Sequence, residues 1–587
     1  MNLVLLETSG NQRYIFATNK LRENVGASEL TYRVGTKTVL EAVEEMTKEQ
    51  NEKDPAKQIV KLWADDLSGE RVRANLLNPS LNPKLEDHQS DIEVIVATSG
   101  KAILLVRTAQ VGKDLIKRVT QTALREMPGL TVHGAISSEV EGALSNIHEA
   151  VVEVHHKLED IRYQMPSNEQ RFLRLPFFAP CDTSGLPAQD KRTFEGEDRE
   201  KLYSRVSSVK ADNKKEGQRR IKKILNGNDL IEPLEIYNRE WLAIIHADGN
   251  GLGAIFQDFK NISKKSDRDY VDVYREFSLA LDDCTIKATN HALNELKKNI
   301  EEEKLPIVPL VLGGDDLTVL CDGKYALKFT HDFLKQFEEE TSQNKTIWRI
   351  ANNAFGNKDE NEPSVKRLGI CAGIAIVKPH FPFHQAYELA ESLLRSAKEV
   401  KQKIPTAPSS AMDFHILYDS AYSDLDLIRE KLRVDGEKTH LYAKPYVVTD
   451  EDKLKGQSGN EWLKPRRFSE LQKRVEAIRA PEDDDNKRKL PNSQLHGLRE
   501  ALYLGRDEAD ARTKLIAHRY KEKGFAELLC DKNNDKPSLF FDEKDGEKHS
   551  ATHFLDALDV IEFWKGFPEP KSKSDSARQP DNGDETK

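Results

Sequence analysis

The chain has 587 residues, 32% of them charged and 38% hydrophobic, and a formal net charge of −10. That acidic balance excludes a general nucleic-acid coat, because sequence-independent phosphate binding needs a positive surface; a local basic groove stays open. The length suits about three to four domains with separate cores.

The opening MNLVLLETSG has no basic region and only a short apolar run, so a strand is expected there and not a secretory signal. VLLETSGNQRYIF (4–16) reads as a strand, a glycine turn and a helix start. DIEVIVATSGKAILLVR (91–107) reads as a hairpin, and LTVHGAIS (130–137) as an apolar strand around a glycine. Residues 160–239 are mixed. They include PCDTSGLPAQDKR (180–192) and the basic run KADNKKEGQRRIKKI (210–224). That run could line an RNA or partner surface, or be a solvated linker helix, as charge runs usually are.

The pattern then repeats. AIIHADGNGLGAIF (243–256) is again strand, turn and helix, and VDVYREFSLALDDCTIKATNHALNELKKNI (271–300) has helical apolar spacing. LPIVPLVLGGDDLTVLCDG (305–323) is a hairpin, and LGICAGIAIV (368–377) a strand. The order strand, helix, hairpin, helix, strand thus occurs twice. An antiparallel or mixed sheet with helices on one face is expected, an α+β fold. Residues 425–565 read as mostly helical, and the polar 571–587 as disordered. Cys181, Cys284, Cys321, Cys371 and Cys530 form no CxxC pair, and no stretch reaches the roughly 20 apolar residues of a membrane span. A reduced, cytoplasmic chain with no membrane partner is expected.

Aligning the copies on Ile15-Phe16 and Ile255-Phe256 sets Thr8 against Asp248 and Ser9 against Gly249. In the hairpins Gly100 falls on Asp315 and Lys101 on Asp316. On this alignment the first copy has no carboxylate at any of the three places, so one copy reads as catalytic and the other as scaffold. Asp248 ends an apolar strand, and Asp315 and Asp316 cap a hairpin, which neighbouring strands would bring together. Such a cluster holds a proton unless a cation neutralises it, and hard oxygen ligands select Mg²⁺ or Mn²⁺. The loop Asp248, Gly249, Asn250, Gly251, Leu252, Gly253 would offer backbone N–H groups to a triphosphate at a helix N-terminus. Gly313 and Gly314 would let a nucleotide approach. Taken alone, each motif is also an ordinary turn. Together they imply phosphoryl or nucleotidyl transfer with two ions.

HADGNGLGAIF, LVLGGDDLTVL and LGICAGIAIVKPHFPFHQAYELAESLLRSAKEV together resemble the second Palm domain of the large subunit of type III CRISPR effector complexes, the Cas-ten or Cmr large-subunit family. The first copy, with YIFATNKLRENVGASEL (14–30), resembles that family's first Palm domain, and LPNSQLHGLREALYLG (490–505) is similar to its C-terminal helical domain. The resemblance covers most of 1–530. It implies two ferredoxin-like Palm domains of nucleotidyl-cyclase type plus a helical domain. The division would be 1–159, first Palm with a degenerate site; 160–239, a linker with a vestigial zinc-knuckle-like segment; 240–424, second Palm with the GGDD; 425–570, helical; and 571–587, tail.

The activity implied is conversion of ATP to cyclic oligoadenylate in antiviral defence, switched on when a guide-RNA complex with its partner subunits binds target RNA. Asp248, Asp315 and Asp316 would hold two Mg or Mn ions, and Lys398 would reach the triphosphate. Without the family, Lys398 reads as a solvated helix lysine. Three departures from the family follow. The chain opens directly in the first copy, and its only adjacent His-Asp pair, His331–Asp332, lies in a helical run, so no HD nuclease activity is expected. Cys181 lacks a CxxC partner, so no zinc is expected. The chain is also short for the family. Two other readings stay open: a stand-alone defence cyclase making a cyclic mono- or dinucleotide without guide RNA, and a silent scaffold subunit of a ribonucleoprotein complex.

Overall fold

The computed structural model describes residues 1–568 except 65–68, 141–143, 145, 165, 167, 173, 196, 264–266, 356–364, 406, 419–422, 437, 456–458, 481–489, 521–524, 532–536 and 544–548. The expected tail, 571–587, lies outside the described residues. Among the described residues no helix is long and apolar enough to cross a membrane.

The repeat is present in the topology. In the first copy β1 (Asn2–Ser9) leads through α1 (Asn11–Ile15) and α2 (Leu21–Arg33) to the hairpin β2 (Ile92–Thr98) and β3 (Lys101–Val106). Helix α3 (Ala109–Glu126), β4 (Thr131–Glu139) and α4 (Ile147–Gln164) follow. The sheet order is β2-β3-β1-β4, antiparallel throughout. Thr108 caps α3 by accepting from the Val111 N–H, and Leu115, Val119 and Ala123 recur every four residues on its buried face. Strand alternation sends Val4 and Leu6 to the side of α2 and α3, and Leu3 and Leu5 to the side of α4.

A short hairpin of β5 (Asp190–Arg192) and β6 (Lys201–Tyr203) lies between the copies. The second copy repeats the plan with β7 (Leu242–Asn250), α5 (Leu252–Gln257), α6 (Asp267–Lys298), β8 (Ile307–Gly313), β9 (Asp316–Asp322), α7 (Gly323–Gln343), β10 (Gly369–Val377) and α8 (Phe383–Lys398). It adds β11 (Ala411–Ile416) parallel to β10 and a last strand β14 (Tyr446–Val447), giving the order β14-β11-β10-β7-β9-β8. The sheet therefore draws a strand from beyond residue 424. Helices cover both its faces, α6 and α7 on one side and α8 on the other, where one covered face was expected. The reason is visible in β7 and β10. Leu242 to Ala247 are all buried, as is every residue of β10, so neither face can be left to water.

The copies differ from their sequence alignment by one residue. Glu7 faces Lys101 across β1 and β3, and β7 faces β9 in the register that sets Ala247 against Leu317 and so Asp248 against Asp316. On the other side Glu7 faces His133 and Asp248 faces Cys371. Gly10 and Gly251, both left-handed, open the helices that follow. Glu7, not Thr8, therefore holds the place of Asp248, and the first copy does keep a carboxylate. The misalignment arose because α1 carries one more residue than α5 between the turn glycine and the Ile-Phe pair.

Two other expectations change. The basic run 210–224 folds as part of helices Arg205–Asp212 and Lys214–Ile224 and docks on the first copy. Lys210 and Arg220 are buried, Lys210 donating to the Tyr14 carbonyl and Arg220 pairing with Glu29 at 2.7 Å. The C-terminal part has the expected helices, among them Phe468–Arg479, Asn492–Tyr503 and Arg506–Tyr520, but also a four-stranded sheet. Its strands are β12 (Arg433–Val434), β13 (Thr439–His440), β15 (Phe540–Asp542) and β16 (Ser550–Thr552). Strands of two or three residues are too short for alternation to show in the sequence. His331 and Asp332 sit on α7, where His331 packs against Phe468 and Phe567 and Asp332 pairs with Lys328.

Candidate active site

The hairpin of the second copy turns on two residues, Gly314 and Asp315, with Gly313 paired to Asp316 as the last rung. Gly314 adopts φ 62°, a left-handed conformation that other residues resist. Helix α6 bolts this tip in place. Asp282 Oδ1 accepts from the Gly314 N–H at 2.9 Å, and Thr285 Oγ1 donates to the Gly314 carbonyl at 2.6 Å. Asp282 is held in turn by Arg73 at 3.0 Å, a residue of the first copy's side of the molecule. The sequence reading missed these supports, because LALDDCTIK reads as a charged helix face.

The neighbouring strand end brings in Asp248. Gly249 N–H donates to Asp315 Oδ2 at 3.3 Å, and a Cβ on Gly249 would stand 2.6 Å from that oxygen. This glycine is what lets the Asp315 carboxylate lie against the β7 loop. Asp315 also shares a hydrogen bond with Asp248, and Asp248 is ion-paired with Lys398, the last residue of α8. The three predicted acids and Lys398 thus meet. Asn250 does not join them. Its side chain is buried and donates to the Ser409 carbonyl at 2.9 Å, tying the loop to the segment before β11. Gly251, at φ 90°, opens α5, which is only six residues long. Gly253 faces open space, and a Cβ on Gly313 would fit at ordinary contact distance.

Burial raises the Asp315 carboxyl to about 7 and the Asp316 carboxyl to about 8, with the Asp248 charge adding to both shifts. Asp316 Oδ1 is buried without a hydrogen-bond partner, although 42% of the side chain is exposed. His246 Nδ1 lies 3.4 Å from it and 3.0 Å from Thr318 Oγ1, and Tyr387 OH is 3.3 Å from His246 Nε2. His246 and Tyr387 carried no sequence signal, His246 being an isolated polar residue in an apolar strand and Tyr387 one aromatic on an amphipathic helix.

Asp315 and Asp316 open into a cavity of about 260 Å³ shared by the two copies. Glu7, Gln12 and Lys101 line one wall, and Gly313, Asp315 and Asp316 the other. The two hairpin tips face each other closely enough that a Cβ on Gly313 would touch Ser99 at 3.7 Å. Among the described residues no three His, Cys, Asp or Glu side chains are already gathered as a metal cage. The donor set nonetheless fits a hard divalent cation. It offers carboxylate oxygens from three residues, an orphaned oxygen on Asp316, and protons retained only because burial and mutual repulsion hold them. The Lys398 ammonium already sits on Asp248 as a cation would.

Residues 241–405 match the family Cas10/Cmr2, second palm domain. This meets the resemblance read from HADGNGLGAIF, LVLGGDDLTVL and the strand and helix after them. No curated protein matches the chain in sequence. Among solved structures, Csm1 of T. onnurineus is 13% identical with a TM-score of 0.45, over 96% of this chain and 69% of its own. A Csm1-Csm4 cassette in complex with cA4 is 12% identical with a TM-score of 0.46, over 96% and 69%. The apo type III-B Cmr-beta structure is 10% identical with a TM-score of 0.46, over 96% and 82%.

Proposed function

We propose that this protein is a nucleotidyltransferase that joins ATP into cyclic oligoadenylate within a type III CRISPR effector complex. Residues 1–159 serve as the first Palm domain and 240–424 as the second, which carries the reacting site. The observation that carries the reading is the meeting of Asp248, Asp315, Asp316 and Lys398, with Asp315 and Asp316 in the wall of a cavity that the first copy's hairpin also lines. Two Mg or Mn ions held by Asp248, Asp315 and Asp316 would lower the pKa of an attacking 3′-hydroxyl and neutralise a leaving pyrophosphate.

The chain's own residues do the rest. Asp315 and Asp316 would give up the protons they hold on taking up a cation. Lys398, freed from Asp248, turns to the phosphates. Gly313 and Gly314 leave the hairpin backbone bare for the nucleotide. Helix α6, through Asp282 and Thr285, keeps the hairpin tip from moving as substrate enters. Adenine as the base, the ring product and control by target RNA all rest on the likeness of 241–405 to the Cas10/Cmr2 second palm.

The test is incubation of the purified chain, with and without its guide complex and target RNA, with ATP and Mn²⁺, and mass analysis of the products. Cyclic oligoadenylate that disappears in Asp315→Ala, Asp316→Ala supports the reading. An RNA-independent cyclic mono- or dinucleotide points to the stand-alone cyclase, and no product under any condition to the scaffold.

A further inference from the structure

Strand β4 is the end strand of the first sheet, and among the described residues no strand pairs with its outer side. Its place in the repeat is that of β10, since Glu7 faces His133 where Asp248 faces Cys371. In the second sheet that same outer edge is filled. Strand β11 runs parallel along β10, from Cys371 against Ala411 to Ile376 against Ile416, and the Leu417 N–H then donates to the Ile376 carbonyl at 2.8 Å. Gly134 and Ile136 hold the places of Ala372 and Ile374, and a bulge between the partners of Val4 and Asn2 then puts Glu139 in the place of Ile376, with Ser138 inside the bulge. The backbone groups of Gly134 and Ile136 point outward as the repeat requires. The Ile136 carbonyl accepts from Lys157 Nζ at 3.1 Å, and the Ser138 N–H donates to Glu153 at 3.0 Å. Side chains of α4 thus cap an edge that a strand covers in the other copy.

A groove of about 590 Å³ runs beside this edge between α3 and α4. Ile116, Ile136 and Ile161 form its apolar floor, and Lys113, Lys117 and Lys157 rim it, with Asp160 as the acid among its lining residues. Lys113 and Lys117 have no acidic partner among the described residues and stand exposed. Exposed sheet edges recruit strands unless they are blocked, and added strands gain affinity from main-chain bonds and selectivity from alternating side chains.

We infer that the β4 edge is a docking site for one extended segment of a partner protein, apolar on one face and bearing acidic residues, which joins the first sheet parallel to β4 as β11 joins β10. The second copy supplies the geometry of the occupant, and the lysine rim supplies its charge. The inference does not rest on the proposed reaction.

The probe is a fluorescein-labelled peptide, DVEVTVEVD, titrated into the full-length protein. Saturable binding is expected, with slowed amide exchange across 132–138. It should weaken at least tenfold in Lys113→Glu, Lys117→Glu, two exposed changes that leave the fold intact by circular dichroism. It should also vanish when alternate peptide nitrogens along one edge are methylated. No saturable binding, binding without protection of 132–138, or binding indifferent to methylation overturns the inference. So does concentration-dependent pairing of two copies through this edge in place of the peptide.

Discussion

Glu7 and Asp248 occupy one position of a duplicated sheet with opposite surroundings. Glu7 faces Lys101 across the ladder and pairs with Arg162 at 3.2 Å, whereas Asp248 lies opposite a second acid, Asp316. The first copy pairs an acid with a base at this rung, and the second sets acid against acid, with Lys398 paired to Asp248. The asymmetry gives the two copies opposite responses to losing an acid. Glu7→Gln removes a partly exposed ion pair and should cost up to about 1 kcal/mol. Asp316→Asn, measured without divalent cation at pH 8, should instead stabilise the chain by about 1–2 kcal/mol, a figure reduced for the exposed part of the side chain. Urea midpoints of the two variants against the parent decide it. A destabilising Asp316→Asn at that pH would sink the electrostatic account.

The same shifts set a pH dependence. The carboxyls of Asp315 and Asp316 titrate higher in the fold, to about 7 and about 8, than the value near 4 of an unfolded chain. Between those limits the folded state binds more protons than the unfolded one, so their contribution to stability is whole below about pH 4 and is lost as pH rises toward 8. Metal-free denaturation midpoints should therefore decline from pH 6 to pH 8 more steeply in the parent than in Asp315→Asn, Asp316→Asn. Saturating Mn²⁺ should flatten the parent's curve.

Cation binding should release the retained protons. Titration calorimetry with Mn²⁺ in buffers of different ionisation enthalpy is expected to show one to two protons leaving at pH 6.5 and close to none at pH 9. A pH-independent count near zero would mean that the acids are ionised before the metal arrives.

Much of this arrangement was legible in the sequence, and the failures have identifiable causes. The two hairpins and their strands showed because each carries six or seven β-rich residues around a two-residue turn. The meeting of Asp248 with Asp315 and Asp316 was foreseeable once the repeat was seen, because the ladder dictates which strand ends are neighbours. Glu7 was missed because an extra residue in α1 shifted the alignment, and only hydrogen-bond register reveals such a slip. Asp282 and Thr285 sit on a long helix whose charged residues look alike in sequence. Only the tertiary path shows that two of them reach the hairpin. Asn250 looked like part of a phosphate loop but spends its amide on the Ser409 carbonyl. A side chain's partner on a distant segment leaves no local mark.

Lys398 should behave as a competitor of the cation as well as a ligand for phosphate. Its pairing with Asp248 occupies a carboxylate that the proposed metal would need. Lys398→Met is expected to tighten Mn²⁺ binding severalfold in the absence of nucleotide and to raise KM for ATP about tenfold, the loss of one charge-assisted contact. Lys398→Arg should restore the weaker metal affinity and part of KM. Metal affinity by manganese spin resonance and KM by product formation read the two effects separately. If both weaken together in Lys398→Met, the lysine only supports the fold.

Asp282 offers the sharpest test of how the hairpin is held. It accepts from the Gly314 N–H and pairs with Arg73, so one side chain links the hairpin turn, helix α6 and the first copy's side of the molecule. Burial raises its carboxyl, with Arg73 opposing the shift, which marks a group kept for its contacts at some cost. Asp282→Ala leaves both Gly314 N–H and the Arg73 guanidinium without a partner and should destabilise by about 1–3 kcal/mol. Asp282→Asn keeps an acceptor for Gly314 but puts an amide NH2 where Oδ2 accepts from Arg73, losing that bond and the charge, so stability should fall less than in Asp282→Ala. The two variants separate positioning from folding in the rate of product formation. If the turn must be fixed for transfer, Asp282→Ala lowers kcat at least tenfold with KM for ATP little changed, under conditions where it is still folded, and Asp282→Asn recovers most of it. Equal kcat in the parent and both variants would show that the hairpin tip finds its geometry without helix α6.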